Sequence, residues 1–137
     1  MRSRIVAYFL ISILLVSLVP STSAYKGYQL SRGAVSDFTL IDQDGENVTL
    51  NRSNGEILVV AFIFTRCTDV CPVITQSLRS VQDGLSSEYS DEVEFMSISV
   101  DPEHDTPEQL KAFAELHDAN WSHLTGDLEV MEEVWNS

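Results

Sequence analysis

The sequence predicts an α/β domain organised around one parallel crossover. Residues 57–64 form an uninterrupted apolar run, which is typical of a strand covered on both faces and therefore of a central strand. Apolar residues then recur every three or four positions across residues 71–86, which predicts a helix. Residues 93–100 are predicted to form a second strand, and a strand–helix–strand unit of this length makes the two strands parallel.

Further elements precede and follow this crossover. Residues 37–41 and 47–50 predict a hairpin, because Gly45 between them supplies the positive φ of a tight turn. After the second strand, Thr106 at the N-cap and Pro107 at the first helical position predict a helix start. One face of this helix carries four side chains: Leu110, Phe113, Ala114 and His117.

The last predicted elements are a short strand and a helix. Residues 121–124 are predicted to form the strand, and Gly126 is predicted to open a helix with Leu128, Met131 and Trp135 on one side. An α/β domain of this kind closes its sheet with further strands. We therefore expect the C-terminal elements of the domain to be missing from a chain that ends in this helix.

The N-terminal residues predict export from the cytoplasm. Arg2 and Arg4 precede an apolar run at residues 5–19, and small residues follow up to Ala24, a pattern typical of a signal peptide. We expect residues 1–24 to be a cleaved signal, or else a membrane anchor, residues 25–36 to be a linker, and residues 37–137 to be the domain. Either N-terminal segment would place the domain in secreted form, or anchored at the outer face of the cytoplasmic membrane, where disulfides persist.

The net charge limits the kinds of molecule that the protein is expected to bind. The chain carries 21 acidic and eight basic residues, for a net charge of −13. Such a surface repels nucleic acid and anionic lipid, whereas it suits a basic protein partner, a cation, or simply a salty or acidic environment. We therefore expect no nucleic-acid partner.

Two cysteines, Cys67 and Cys71, mark the candidate site. They follow the apolar strand and open the first predicted helix, and a helix N-terminus stabilises a thiolate through its free N–H groups and its dipole. If Cys71 lies in the first turn or two, the i, i+4 spacing places both sulfurs on one helix face. The pair can close a disulfide or bind one soft metal ion. Arg66 is expected to favour the thiolate form of Cys67 and Asp69 to oppose it. The alternative to a reactive or metal-binding pair is two buried apolar cysteines or a structural disulfide.

Three stretches resemble the Sco (SenC) family of thioredoxin-like copper proteins. The hairpin at residues 38–45, the C-x-x-x-C-P motif at residues 64–72 and the loop at residues 97–107 resemble family signatures in order and spacing. Residues 124–126 resemble a further, weaker signature. The resemblance covers about residues 37–135 and implies a thioredoxin-like fold, with a mixed central sheet, flanking helices and an N-terminal hairpin.

The resemblance also implies a metallochaperone rather than an enzyme. In the family, two cysteines and a histidine bind copper, and the protein helps to build the dinuclear copper site of cytochrome c oxidase. Cys67 and Cys71 match the two cysteines, whereas the family's histidine is expected beyond Ser137. This implies Cu(I) bound by two thiolates, with Cu(II) in a form that has the imidazole. The implied partner is the oxidase subunit with that site, or another copper or thiol protein.

Other polar residues have weaker assignments. Asp101, at the end of the second predicted strand, is a candidate for a group that supports the site without binding the metal. His104 lies in a charged loop at the same sheet edge, and we interpret it as a solvated residue. We interpret His117 as a partly buried helix residue, and the pattern around His123 predicts nothing.

Three rival functions use the same cysteines. A Cys67–Cys71 redox pair could catalyse thiol–disulfide exchange on a partner, although the sequence lacks the C-x-x-C spacing of thioredoxins. A peroxiredoxin-like peroxidase would use the T-x-x-C of Thr68 to Cys71, but Phe64 replaces the proline of that motif and Cys67 has no role in it. A binding module with a merely structural disulfide is the third, and it would lose its fold on reduction.

Overall fold

The computed structural model describes residues 37–50, 57–87 and 89–136. The predicted signal or anchor (1–24) and the predicted linker (25–36) lie outside the described residues. Within the described ranges, no helix combines the length and the apolar character needed to cross a bilayer.

The first described residues form the predicted hairpin. Strands β1 (Phe38–Ile41) and β2 (Asn47–Leu50) pair antiparallel. Gly45 has a φ of 84°, a conformation that glycine adopts without a steric penalty. The side chain of Asp42 completes the turn, because its Oδ1 accepts the N–H groups of Asp44 and Glu46, each at 2.9 Å. The hairpin prediction is confirmed.

The predicted parallel crossover is also confirmed. Strand β3 (Ile57–Ile63), helix α1 (Val70–Gly84) and strand β4 (Val93–Ser99) follow one another. β3 and β4 pair in parallel along seven positions, from Ile57 opposite Val93 to Ile63 opposite Ser99. Three later elements complete the described fold: α2 (Pro107–His117), β5 (Ser122–Leu124) and α3 (Leu128–Asn136).

The expectation that residues 57–64 form the central strand is wrong for the strands that the structure describes. Their order is β3-β4-β5, so that β4 lies in the middle and β3 lies at an edge. Residues 95–99 of β4 are all buried, whereas Val60 and Phe62 of β3 are exposed. An apolar run carries no information about the lateral neighbours of a strand. The expected cover on both faces is also not found at Val60 and Phe62 among the described residues.

The two faces of the sheet bury separate clusters, because successive side chains of a strand point to opposite faces. Helices α1 and α2 pack on one face, where the buried residues are Ala61, Ile63, Cys71, Leu110 and Phe113. The hairpin and α3 pack on the other face, where the buried residues are Leu40, Met96, Ile98, Leu124, Met131 and Val134. The first cluster thus includes one of the two cysteines.

An antiparallel bridge joins the hairpin to the sheet. The N–H of Ile41 donates to the carbonyl of Thr125 at 2.8 Å, and the N–H of Thr125 donates to the carbonyl of Ile41 at 2.9 Å. Gly126 follows immediately, and a Cβ there would lie 2.9 Å from a methyl carbon of Leu40. A side chain at this position would require the Leu40 side chain to move, so glycine favours this close approach of the hairpin to the sheet.

The later helices agree with the sequence patterns, with one difference. Thr106 caps α2 by accepting the N–H of Gln109 at 3.4 Å, and Pro107 is the first helical residue. In α3 the buried residues are Met131 and Val134, and Leu128 is exposed. The three apolar residues expected on one side of α3 therefore differ in burial: Met131 is buried, Trp135 is half-buried and Leu128 is exposed.

We predict that Leu124→Ala lowers the free energy of unfolding by about 2–5 kcal/mol, because the substitution leaves a cavity where three elements meet. Leu124 is fully buried among residues of β1, β4 and α3. Urea denaturation followed by circular dichroism measures the change. The matched control is Leu116→Ala on α2, whose side chain is 78% exposed, and it should change stability by less than about 0.5 kcal/mol. Equal losses in the two variants would contradict the described core.

Candidate metal-binding and redox site

The two cysteines lie at the exit of β3 and the entry of α1, as predicted. β3 ends at Ile63 and α1 begins at Val70, so that Cys71 is the second residue of the helix and Cys67 lies in the preceding loop. The expectation of a helical i, i+4 relation is wrong, because Cys67 is not helical. The two residues meet instead through a hydrogen bond, in which the N–H of Cys71 donates to Sγ of Cys67 at 3.3 Å.

Sγ of Cys67 takes the position of a helix cap. The first N–H groups of a helix lack partners within the helix, and the N-cap residue Asp69 makes no side-chain capping bond. The N–H of Cys71 is the main cause that lowers the pKa of the Cys67 thiol below its ordinary value of 9.0. The N–H of Asp69 adds to this effect, whereas partial desolvation opposes it. Cys67 is therefore the thiol that ionises more readily.

Cys71 has the opposite environment. Its side chain is 2% exposed and belongs to the cluster beneath α1 and α2. Burial raises the pKa of the Cys71 thiol, and the neighbouring Cys67 and the charge of Asp105 raise it further, whereas a backbone hydrogen bond at Phe64 opposes the rise. Both cysteines are free thiols, so the predicted Cys67–Cys71 disulfide stays a prediction.

Backbone N–H groups, rather than the side chains of Arg66 or Asp69, are the main cause of the lowered pKa of Cys67. The guanidinium of Arg66 points to Asp101, where its Nη2 lies 2.6 Å from Oδ2. This bond lowers the pKa of the Asp101 carboxyl, and His104 adds to the effect with its Nδ1 at 3.1 Å from Oδ1. Asp101 thus contacts the residue next to Cys67, in keeping with a supporting position, and its role at the site stays a prediction.

Asp105 is the residue near the site that the sequence patterns missed. It is fully buried, although aspartate is rarely buried without partners. Its Oδ1 accepts the hydroxyl of Thr65 at 2.6 Å and the N–H of Thr65 at 3.1 Å, and its Oδ2 accepts the hydroxyl of Ser99 at 2.6 Å. The loop signature at residues 97–107 contains Asp105, but its position before a helix cap indicated only a turn.

None of the three histidines joins the cysteines in a metal cluster. His104 is exposed, as interpreted, and the ring of His117 packs on Phe113 with a centroid distance of 4.5 Å. His123 is fully buried. Across residues 37–50, 57–87 and 89–136, no group of three or more His, Cys, Asp or Glu residues is arranged to hold a metal ion. The donor set that the structure offers to a soft ion is therefore the two thiols.

His123 is held as a neutral ring. Its Nδ1 lies 2.8 Å from the carbonyl of Trp121, which can only accept, so Nδ1 carries the proton. Its Nε2 is buried without a hydrogen-bond partner, and the ring stacks on Trp121 at 5.7 Å and 14°. Burial lowers the pKa of His123, the Trp121 carbonyl opposes the change, and the charge of His117 contributes to it.

Comparison with known proteins gives the family. The model of the SCO1/SenC family matches residues 27–137. The chain belongs to the SCO1/SenC family. The SCO1 protein homolog of Bacillus subtilis is 45% identical over 95 residues, which are 67% of this chain and 49% of that protein. This chain spans about half the length of the curated relatives it matches.

Solved Sco structures share the fold. ScoI of Bradyrhizobium japonicum, solved with copper bound, has a TM-score of 0.63 at 33% identity, with coverage of 77% of this chain and 66% of that chain. BsSco, a Sco-family cytochrome c oxidase assembly protein in which a disulfide switch was identified, has a TM-score of 0.59 at 43% identity, with coverage of 67% and 55%. The fold is thioredoxin-like, as the resemblance implied.

We predict that iodoacetamide alkylates Cys67 several-fold faster than Cys71 at neutral pH, because a thiolate is the reacting species and the Cys67 thiol has the lower pKa. Cys67 has the lowered pKa and the greater exposure. Timed alkylation with tandem mass spectrometry assigns the modified residue. Cys67→Ser and Cys71→Ser, each with one thiol, provide the reference rates, and faster alkylation of Cys71 in the parent chain would contradict the described environments.

We predict that the free energy of unfolding falls as the pH drops below 6.5, in part because of His123. Its folded pKa is lower than its ordinary value of 6.5, so the unfolded chain binds the proton first. The loss amounts to at most about 1.4 kcal/mol per pH unit and ends below the folded pKa. Urea denaturation at several pH values should give a shallower dependence for His123→Phe than for the parent chain between pH 6.5 and 5. Parallel dependences would refute the assignment of a neutral buried ring.

Proposed function

We propose that this chain is a copper metallochaperone, in which Cys67 and Cys71 bind Cu(I) as thiolates and pass it to a partner by ligand exchange. The observation that carries the proposal is the juxtaposition of two free thiols at one helix N-terminus, linked by the 3.3 Å bond from the Cys71 N–H to Sγ of Cys67. The copper-bound ScoI of Bradyrhizobium japonicum supports copper as the cargo.

The chemistry of the two thiols fits Cu(I). Cu(I) is a soft ion that prefers thiolate, and the N–H groups of the helix entry already stabilise negative charge on Cys67. Cys71 must lose a proton from a buried thiol with a raised pKa. Copper binding therefore releases protons, and the affinity for Cu(I) should rise with pH. Cu(II) would need an imidazole that no described residue brings to the thiols.

The proposed recipient of the copper is a copper or thiol protein. The favoured candidate is the cytochrome c oxidase subunit that holds the dinuclear copper site. BsSco, at 43% identity, belongs to the Sco family of cytochrome c oxidase assembly proteins, which supports this choice. Exposure of Cys67 gives a partner's thiolate a position from which to attack the bound ion. The proposed location is outside the cytoplasm, because residues 1–24 have the pattern of a signal peptide or an anchor.

The different environments of the two thiols also favour a second function, thiol–disulfide exchange. The Cys67 thiolate would attack a partner's disulfide and form a mixed disulfide while one partner thiolate leaves. The Cys71 thiol, after losing its proton, would then attack Cys67 and release the second partner thiolate. The partner gains two electrons and this chain ends with a Cys67–Cys71 disulfide. The disulfide switch of BsSco supports this alternative.

We predict that the reduced chain binds one equivalent of Cu(I) in competition with a chromophoric chelator, and that the affinity rises about tenfold per pH unit for each thiol proton that is displaced. Cys67→Ser and Cys71→Ser should each abolish tight binding, because one thiolate gives no two-sulfur site. The matched control is His104→Ala, which removes a histidine bonded to Asp101 and should leave the stoichiometry at one.

The same titration separates the two functions. An absence of Cu(I) binding by the parent chain at every pH, together with a strongly reducing potential of the thiol pair, would overturn the copper proposal in favour of thiol–disulfide exchange. Binding that survives in the double variant Cys67→Ser/Cys71→Ser would place the copper elsewhere on the chain.

A further inference from the structure

We propose that Asp105 is a positioning residue for the thiol pair: its buried carboxylate holds Thr65, and through Thr65 it sets the position of Cys67 relative to Cys71. The inference deepens the proposed function and rests on it where copper is concerned. We call the set of Asp105, Thr65 and Ser99 the carboxylate clamp.

The contacts of the clamp join two loops that are 40 residues apart in the chain. Thr65 follows β3, and Ser99 is the last residue of β4. Asp105 accepts both the N–H and the hydroxyl of Thr65 on one oxygen and the hydroxyl of Ser99 on the other. The hydroxyl oxygen of Ser99 in turn accepts the N–H of Asp101 at 3.0 Å. The carboxylate thus fixes the first residues of both loops.

Thr65 controls the position of Cys67 in the cysteine loop. The strand end before Thr65 is fixed, because the N–H of Val100 donates to the carbonyl of Ile63 at 2.8 Å. The turn around Thr65 is closed by the bond from the Cys67 N–H to the carbonyl of Phe64 at 3.1 Å. Thr65 lies within this turn, so a change in its backbone moves Cys67, whereas Cys71 is held by the helix.

The other polar side-chain contact that the structure describes between the two loops is weaker. α1 has no side-chain capping bond at Asp69, and the pair between Arg66 and Asp101 is largely exposed, with 58% of the arginine side chain accessible. Exposed ion pairs hold a loop weakly because water and salt screen them. A buried carboxylate with three donors is held by stronger, charge-assisted hydrogen bonds.

Four variants of the full 137-residue chain test the clamp. Thr65→Val removes the hydroxyl donor and keeps both the size of the side chain and the charge of Asp105. Thr65→Ser keeps the hydroxyl and should restore the parent behaviour. Asp105→Asn is the second disrupting variant. Asp44→Asn, at an exposed carboxylate paired with Lys111, is the control for loss of one negative charge.

Two equilibria are measured well below the melting temperature of each variant. The first is the dithiol–disulfide equilibrium of Cys67 and Cys71 in glutathione buffers, and the second is Cu(I) affinity by chelator competition. We expect Thr65→Val to weaken Cu(I) binding about tenfold, the lower end of the effect of residues that orient a metal ligand, because the variant loosens the turn that positions Cys67. We expect Thr65→Val and Asp105→Asn to shift the thiol equilibrium toward the disulfide, because the clamped loop favours the dithiol geometry with its N–H to Sγ bond. Thr65→Ser and Asp44→Asn should stay within about twofold of the parent chain.

A lower melting temperature with both equilibria unchanged would show that the clamp is only structural and would overturn the proposal. If the parent chain binds no Cu(I), the copper function fails, but the thiol equilibrium still decides about the clamp. A shift in Thr65→Val that Thr65→Ser reverses supports it, and the absence of a shift overturns it.

Discussion

The parallel pairing of β3 with β4 is the constraint on which the rest of the site depends. Parallel strands end at the same edge of a sheet, and the register places Ile63 opposite Ser99. The loops after the two strands therefore begin side by side, and the bond from the Val100 N–H to the Ile63 carbonyl extends the pairing by one step. The contact between Thr65 and Asp105 is a consequence of this register. A slip by one residue would turn Ser99 to the other face of the sheet, away from Asp105.

The two thiols differ because one lies before the helix and the other lies in its first turn. Cys67 takes the hydrogen-bonding position that a serine or aspartate side chain commonly fills at an N-cap, so its negative charge is stabilised by N–H groups of the helix entry. Cys71 points into the apolar cluster, where burial opposes ionisation. One thiol is thus suited to exchange with a partner, and the other holds the site to the core. This division fits the proposed copper transfer and the alternative disulfide exchange equally, since each would begin with an accessible thiolate.

Elements that depend on the local backbone preferences of single residues could be predicted from the sequence. Contacts between strands and between distant parts of the chain could not. Gly45 predicted the hairpin turn and Thr106 with Pro107 predicted the start of α2, because these residues act on their immediate backbone. The edge position of β3 among the described strands was not predictable, since an apolar run carries no information about lateral neighbours. The burial of His123 and Asp105 depends on partners supplied by distant parts of the chain, namely the packing of α2 against β5 and the contact between two loops. The positions of both cysteines between β3 and α1 were predicted. The hydrogen bond from the Cys71 N–H to Sγ of Cys67 was not, because it depends on where the loop ends and the helix begins.

The two side-chain contacts between the loops after β3 and β4 differ in strength. Asp101 and Arg66 meet at the surface, where water competes for both charges, so this pair can break at little cost when another molecule approaches. Asp105 has no access to water, and a buried charge that loses a hydrogen bond keeps the full cost of its desolvation. The loop is therefore held from beneath while its outer surface stays free to change partners. A break of the Arg66–Asp101 pair therefore leaves the contact between Asp105 and Thr65, and with it the cysteine loop, in place.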